Sequence, residues 1–118
     1  MKGTIISIDV DGSETVKQIE GEPTLDVLKE AIGGGYLEVV PNFNTLEWND
    51  MLIKNCVVFC DEEGKKRGLP INQRATICWD DALRRDYHLS LMQSGHLSDC
   101  LVGKIAVVFG DKEFMEAL

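Results

Sequence analysis

Polar and apolar positions alternate from Met1 and then fill in as Thr4-Ile5-Ile6-Ser7-Ile8, a β-branched run that predicts a strand covered on at least one face. Asp11-Gly12 is a hairpin signal, with Thr15-Val16-Lys17-Gln18-Ile19 as the returning strand. A two-residue loop sets Ile6 opposite Lys17. A three-residue loop sets Ile8 opposite Val16 and Ile5 opposite Ile19, and this is the register we favour. A short helix over 24–32 follows. Pro23 is tolerated at its start, Thr24 can cap the free N–H groups, and Leu25, Leu28 and Ile32, joined by Val27 and Ala31, form its apolar face. Gly33 ends it.

Gly33-Gly34-Gly35 release the chain into Tyr36-Leu37-Glu38-Val39-Val40, which reads as a strand stopped by Pro41. Glycines that cradle a phosphate precede a helix, and these follow one, so an exit loop is the expectation. The segment 42–50 carries Phe43 and Trp48 and predicts a long hairpin loop or flap, with the tryptophan folded back over the sheet. Met51 to Cys60 predicts one longer strand, antiparallel to 36–40, ending in the turn Asp61–Gly64. Lys65-Lys66-Arg67 reads as a solvated turn and Gly68–Asn72 as a second turn, whose backbone Asn72 can hydrogen-bond.

Asp80 is the expected N-cap of the main helix, carried through Gln93. Trp79, Leu83, Tyr87 and Leu91 recur every four residues and predict its buried stripe, while Asp80 with Arg84 and Asp81 with Arg85 mark a solvated face. Leu101–Phe109 is the most apolar strand and should be central. Asp111 then starts a last helix over 111–117, with Phe114, Met115 and Leu118 turned inward. The sum is an α+β fold: one domain over 1–118, a mostly antiparallel sheet of about five strands, one main helix packed on it and two short helices.

Composition changes this picture little but narrows the partners. A chain of 118 residues, 44% hydrophobic, fits one globular domain. Twenty acidic against twelve basic side chains give a net charge of −8, which opposes attraction to nucleic acid or an anionic membrane and suits a basic protein surface. The acids are scattered among lysines and arginines, which argues against mimicry of a phosphate backbone. Cys56, Cys60, Cys78 and Cys100 form no C-x-x-C pair and no signal-like apolar run precedes them, so reduced cytosolic thiols are expected. Cys56 and Cys60 share a strand face, and His88 and His96 are available. Zinc ligands usually come from tight pairs on turns, however, so neither a metal nor another cofactor is expected.

The polar residues best placed to form a site are Tyr36, Glu38, Asn72 and Arg74, which together would suit a nucleotide or charged metabolite. Arg74 has the planar fork for a carboxylate or phosphate, or for pairing with Glu38 or Glu62. Trp48 with Lys65, Lys66 and Arg67 would instead serve a protein contact.

Two resemblances bear on function. Ile5-Ile-Ser-Ile-Asp-Val-Asp-Gly-Ser13 resembles the nucleophile strand of haloacid-dehalogenase-like phosphatases, which would make Asp9 the nucleophile, Asp11 the acid and base, and Val108–Asp111 the metal-binding segment. That family needs a parallel sheet, whereas this chain is predicted to turn straight back after Asp11-Gly12, and Met115 stands where a second acidic residue belongs. GGYLEVV (Gly34–Val40), FCDEEGKKRGLPINQRA (Phe59–Ala75) and LVGKIAVVF (Leu101–Phe109) resemble the recurring blocks of a family of small proteins of unknown function found largely in bacteriophages and mobile elements. The Asn42–Asp50 and Asp80–Leu97 segments are longer than is usual there. This second resemblance implies the α+β architecture and a phage origin, and no reaction. The expectation is an accessory protein that binds a host protein in the cytoplasm of the infected cell, with a small molecule as the alternative ligand.

Overall fold

The computed structural model describes every residue from Met1 to Leu118. In chain order the strands are β1 (Lys2–Ile8), β2 (Glu14–Glu20), β3 (Leu37–Val39), β4 (Leu46–Trp48), β5 (Met51–Ile53), β6 (Val57–Asp61), β7 (Met92–Gln93), β8 (His96–Leu97) and β9 (Ile105–Gly110). The helices are α1 (Leu25–Ala31), α2 (Gln73–Tyr87) and α3 (Lys112–Glu116). Five strands form the main sheet in the order β2-β1-β9-β6-β3, and every neighbouring pair is antiparallel. The predicted α+β class is therefore the observed one.

Both faces of the sheet are covered over its central strands, which is why β1 and β9 read as continuous apolar runs rather than a clean alternation, while the edge strand β2 is exposed along most of its length. Ile6, Ile8, Val58, Ile105 and Val107 pack with α2 and the β4–β5 hairpin on one side, while Ile5, Phe59, Ala106 and Val108 pack with α1 and α3 on the other. Thr24 caps α1 by accepting the Val27 N–H, and Asp111 caps α3 by accepting the Phe114 N–H at 2.9 Å. Leu25 and Leu118, both expected inward, are exposed.

Three predicted details differ. The β1–β2 register sets Ile6 opposite Val16 and Ile5 opposite Lys17. The loop has three residues as favoured, but it is Val10-Asp11-Gly12: the Gly12 N–H donates to the Asp9 carbonyl, and Gly12 takes the left-handed position that closes such a loop, at φ 87°. The turn is centred one residue earlier than expected, which moves every pair. Met51 to Cys60 is not one strand either. It breaks at Asn55, at φ 58°, so that β5 turns back on β4 through Asn49-Asp50, both left-handed, and the expected flap is a hairpin.

The main helix is capped eight residues earlier than expected, because Asn72 rather than Asp80 is its cap and accepts the Ala75 N–H at 3.0 Å. It stops at Tyr87, with His88 left-handed at its end. Trp79 and Leu83 are buried as predicted, whereas Tyr87 is exposed and Leu91 is buried from outside the helix.

Candidate functional site

Most of the polar residues singled out in the sequence serve the chain's own backbone and charges. Asn72 is fully buried: beyond its capping role, its Nδ2 donates to the Ile8 carbonyl at 2.9 Å and to the Gly103 carbonyl at 2.8 Å. It pins the start of α2 to the end of β1 and the approach to β9, and both of its amide hydrogens are used. Arg74 pairs with neither Glu38 nor Glu62. It donates to the Gly12 carbonyl at 2.7 Å and pairs with Glu14 at 3.1 Å, where the Trp48 indole N–H also reaches the same carboxylate at 3.1 Å. Trp48 is half-buried and packs against the α2-side core, as its predicted folding back requires. Tyr36 projects into solvent, 65% exposed. The four residues Tyr36, Glu38, Asn72 and Arg74 thus do not converge on one pocket.

The basic run is likewise occupied. Lys65 Nζ lies 2.5 Å from Asp99 Oδ1, Lys66 lies 3.7 Å from Glu63, and Arg67 forms an ion pair with Asp61. Asp61 is buried, and its Oδ1 accepts the Tyr36 and Glu63 N–H groups at 3.3 and 3.0 Å. This pair explains the third glycine of the run: a Cβ on Gly35 would stand 2.4 Å from Asp61 Oδ2, and its φ of 95° already favours glycine.

Asp9 and Asp11 lie in the β1–β2 turn, where Asp9 accepts the Val10 N–H and Asp11 accepts from Ser13. Asp111 sits beside Lys2 at the other end of seven-residue β1, about 20 Å away at a strand's rise per residue. With β1 flanked by two antiparallel neighbours, the phosphatase arrangement is not formed. No three His, Cys, Asp or Glu side chains group in a way that could hold a metal ion, and no helix is long and apolar enough to cross a membrane.

Two of the surface concavities bring together reactive polar or uncovered apolar side chains. The first is a polar cleft of about 130 Å³, where Glu38, Cys60, Lys65, Asp99 and Cys100 surround a floor that includes Trp79. Burial pushes the Cys60 thiol up to about 11, with the Glu38 carboxylate adding to the effect and Lys65 opposing it. The hydrogen bond to Asp99 holds the Lys65 ammonium above its usual range.

The second is an apolar groove of about 250 Å³, lined by Ile71, Thr76, Ile77, Asp80, Met92 and Leu97. Four of these are large apolar side chains left in water: Ile71 is 53% exposed, Ile77 61%, Met92 48% and Leu97 48%. Ile77 stands two residues from buried Trp79 on α2 and so points to the opposite side of the helix. Met92 and Leu97 face each other across the β7–β8 hairpin, and Ile71 bridges to Val102.

Asp80 fixes the far wall of the groove. Its Oδ1 accepts the Leu91 N–H at 2.7 Å and the Ser90 hydroxyl at 3.2 Å, and its Oδ2 accepts from Arg84 at 2.8 Å. Burial pushes this carboxyl up, but those hydrogen bonds and the Arg84 charge outweigh it and hold the group below its ordinary value. The residue expected to begin the helix instead latches the following hairpin to the middle of it. Sequence reasoning missed this groove, whose one visible sign was Ile77 placed off the Trp79–Leu83 stripe.

No curated protein and no solved structure matches the chain. The model of a domain of unknown function, DUF3846, matches residues 1–117, and the chain belongs to that family.

Proposed function

We propose that this is a phage-encoded accessory protein that works by binding a protein of the host, in the cytoplasm of the infected cell, and that the apolar groove is the contact. The phage origin rests on the resemblance of the three sequence blocks. The contact rests on a single observation: four large apolar side chains from three separate segments stand about half exposed around one concavity. Contiguous exposed apolar surface is costly to keep in water and marks an interaction site far more often than scattered single residues do. A volume of about 250 Å³ falls below the roughly 300–1,000 Å³ of pockets that enclose small ligands, and it suits the apolar side chains of a partner segment. The net charge of −8 favours a partner whose surface around those side chains is basic. The basic turn Lys65–Arg67 and Trp48, both paired within the chain, are secondary to this contact.

A photo-crosslinking residue placed at Ile77 or Met92 tests the reading in bacterial cells producing the protein. One discrete protein adduct is expected from both positions, lost on competition with unlabelled protein and absent when the crosslinker stands at Lys112 beside α3. Failure to form an adduct, or the same adducts from all three positions, would refute it.

A further inference from the structure

The apolar groove does not end at Ile77. On the other side of that residue a second concavity begins, and the helical period of α2 explains why. Gln73, Thr76, Ile77 and Asp80 line the groove, Gln73, Arg74, Ile77 and Cys78 line its neighbour, and Gln73 and Ile77 are the ridge between them. The far wall of the second concavity comes from Val10 and Asp11 in the β1–β2 loop and from Glu47 on β4. Resting on the groove as the contact, we infer that the two concavities form one composite site. Its occupant is a segment of a partner protein that seats apolar side chains in the groove and a Lys or Arg side chain against Asp11 and Glu47.

Charge decides the occupant. Of the charged residues that line the two concavities, Asp80 is paired with Arg84, and Arg74 donates to the Gly12 carbonyl at 2.7 Å and pairs with Glu14 at 3.1 Å. Asp11 and Glu47 are exposed, and neither forms an ion pair. The Asp11 Oδ1 accepts the Ser13 hydroxyl at 2.6 Å and the Ser13 N–H at 2.8 Å, which holds this carboxyl below the usual carboxylate range and orients it without cancelling its charge. Glu47 stands opposite Leu52 in the β4–β5 ladder, so its backbone is fixed as well. Two unanswered negative charges beside an apolar groove complement a cation flanked by apolar side chains, and they repel a segment flanked by acids.

The two parts of the site lie on opposite flanks of α2. A helix with its side chains is about 10–12 Å across, so the partner's basic side chain falls roughly that far from its apolar anchors. The division of labour follows from exposure. Apolar side chains leaving water supply most of the affinity, whereas exposed carboxylates add the modest, salt-screened attraction of surface pairs. The groove thus sets how firmly a segment is held, and Asp11 and Glu47 set which segment is accepted.

The test selects binders to the immobilised full-length protein from a display library of short random peptides, then titrates the enriched peptides in solution against variants. Peptides that carry paired apolar residues and a Lys or Arg are expected. Ile77→Asp should weaken them about tenfold or more. The isosteric pair Asp11→Asn and Glu47→Gln, both at exposed positions, should weaken them several-fold, a difference that disappears at high salt or when the peptide's base is replaced by Gln. Glu47→Lys should in turn prefer the peptide whose base is replaced by Glu. Peptides that need Ile77 but show no enrichment of bases, or whose affinity ignores the two carboxylates, would overturn the composite site and leave the groove standing. Peptides that ignore Ile77→Asp, or no enrichment at all, would remove the groove as the contact and this site with it.

Discussion

The polar cleft and the apolar groove both border α2, and they are built in opposite ways. Around the cleft, the basic groups find partners within the chain: Lys65 has Asp99, and behind it Arg67 has Asp61 and Lys66 has Glu63. Around the groove, large apolar side chains stand about half in water. Charge in this sequence is thus a poor guide to what the protein meets, because most of it answers charge or backbone nearby. Uncovered apolar surface has no internal answer. It is the feature on which the binding proposal rests.

Four measurements bear on that contrast, in descending order of their consequence for stability. Asn72→Ala removes a cap and strands two buried carbonyls, and it should cost about 3 kcal/mol in urea unfolding. A neutral result would mean that Asn72 is free for a ligand after all. Arg67→Ala leaves the Asp61 carboxylate buried without its cation. Because the arginine itself is half exposed, the expected loss is about 1–2 kcal/mol. A loss of binding in the crosslinking assay with unchanged stability would reverse the assignment of the basic turn.

Asp80→Ala should cost about 1 kcal/mol and raise amide hydrogen exchange over 91–97, since it frees the β7–β8 hairpin from α2. Acid should act the same way. The Asp80 pKa is lowered on folding, so its contribution is whole at neutral pH and is lost as pH falls from 3.8 through the lower folded value. Exchange at 91–97 that stays flat across that window would show the hairpin to be held by something else. Finally, Ile77→Asp should change stability by no more than about 0.5 kcal/mol, since the side chain is largely in water, yet it should abolish the crosslink from Met92. A large destabilisation would show that the groove is covered by the chain itself.

Local signals in the sequence carried the framework well. The apolar runs of β1 and β9, the Thr24 cap with Gly33 behind it, and the Asp111 cap are each decided by neighbours within a few residues, so propensity and spacing suffice. The errors arose where two local rules competed. Asp80-Asp81 looks like the first turn of a helix, but Asn72 begins the helix because burial between β1 and β9 gives its side chain three backbone partners. Met51–Cys60 has strand propensity throughout, yet a left-handed Asn55 divides it between two sheets. The groove was out of reach for a different reason. Ile71, Ile77, Met92 and Leu97 belong to segments that meet only once α2 and the β7–β8 hairpin are latched through Asp80.

The position of β9 has a bearing on how the molecule is made. The middle strand of the sheet is the last one synthesised, and it alone joins β1 to β6. Until residues 105–110 leave the ribosome, the nascent chain holds two unconnected ladders, the β1–β2 hairpin and the β3–β6 pair, each with an apolar edge awaiting the same insert. Such late, sequence-distant closure is slow and invites chaperones or premature strand exchange, so truncation before Ile105 would leave two sticky fragments rather than a smaller version of the fold.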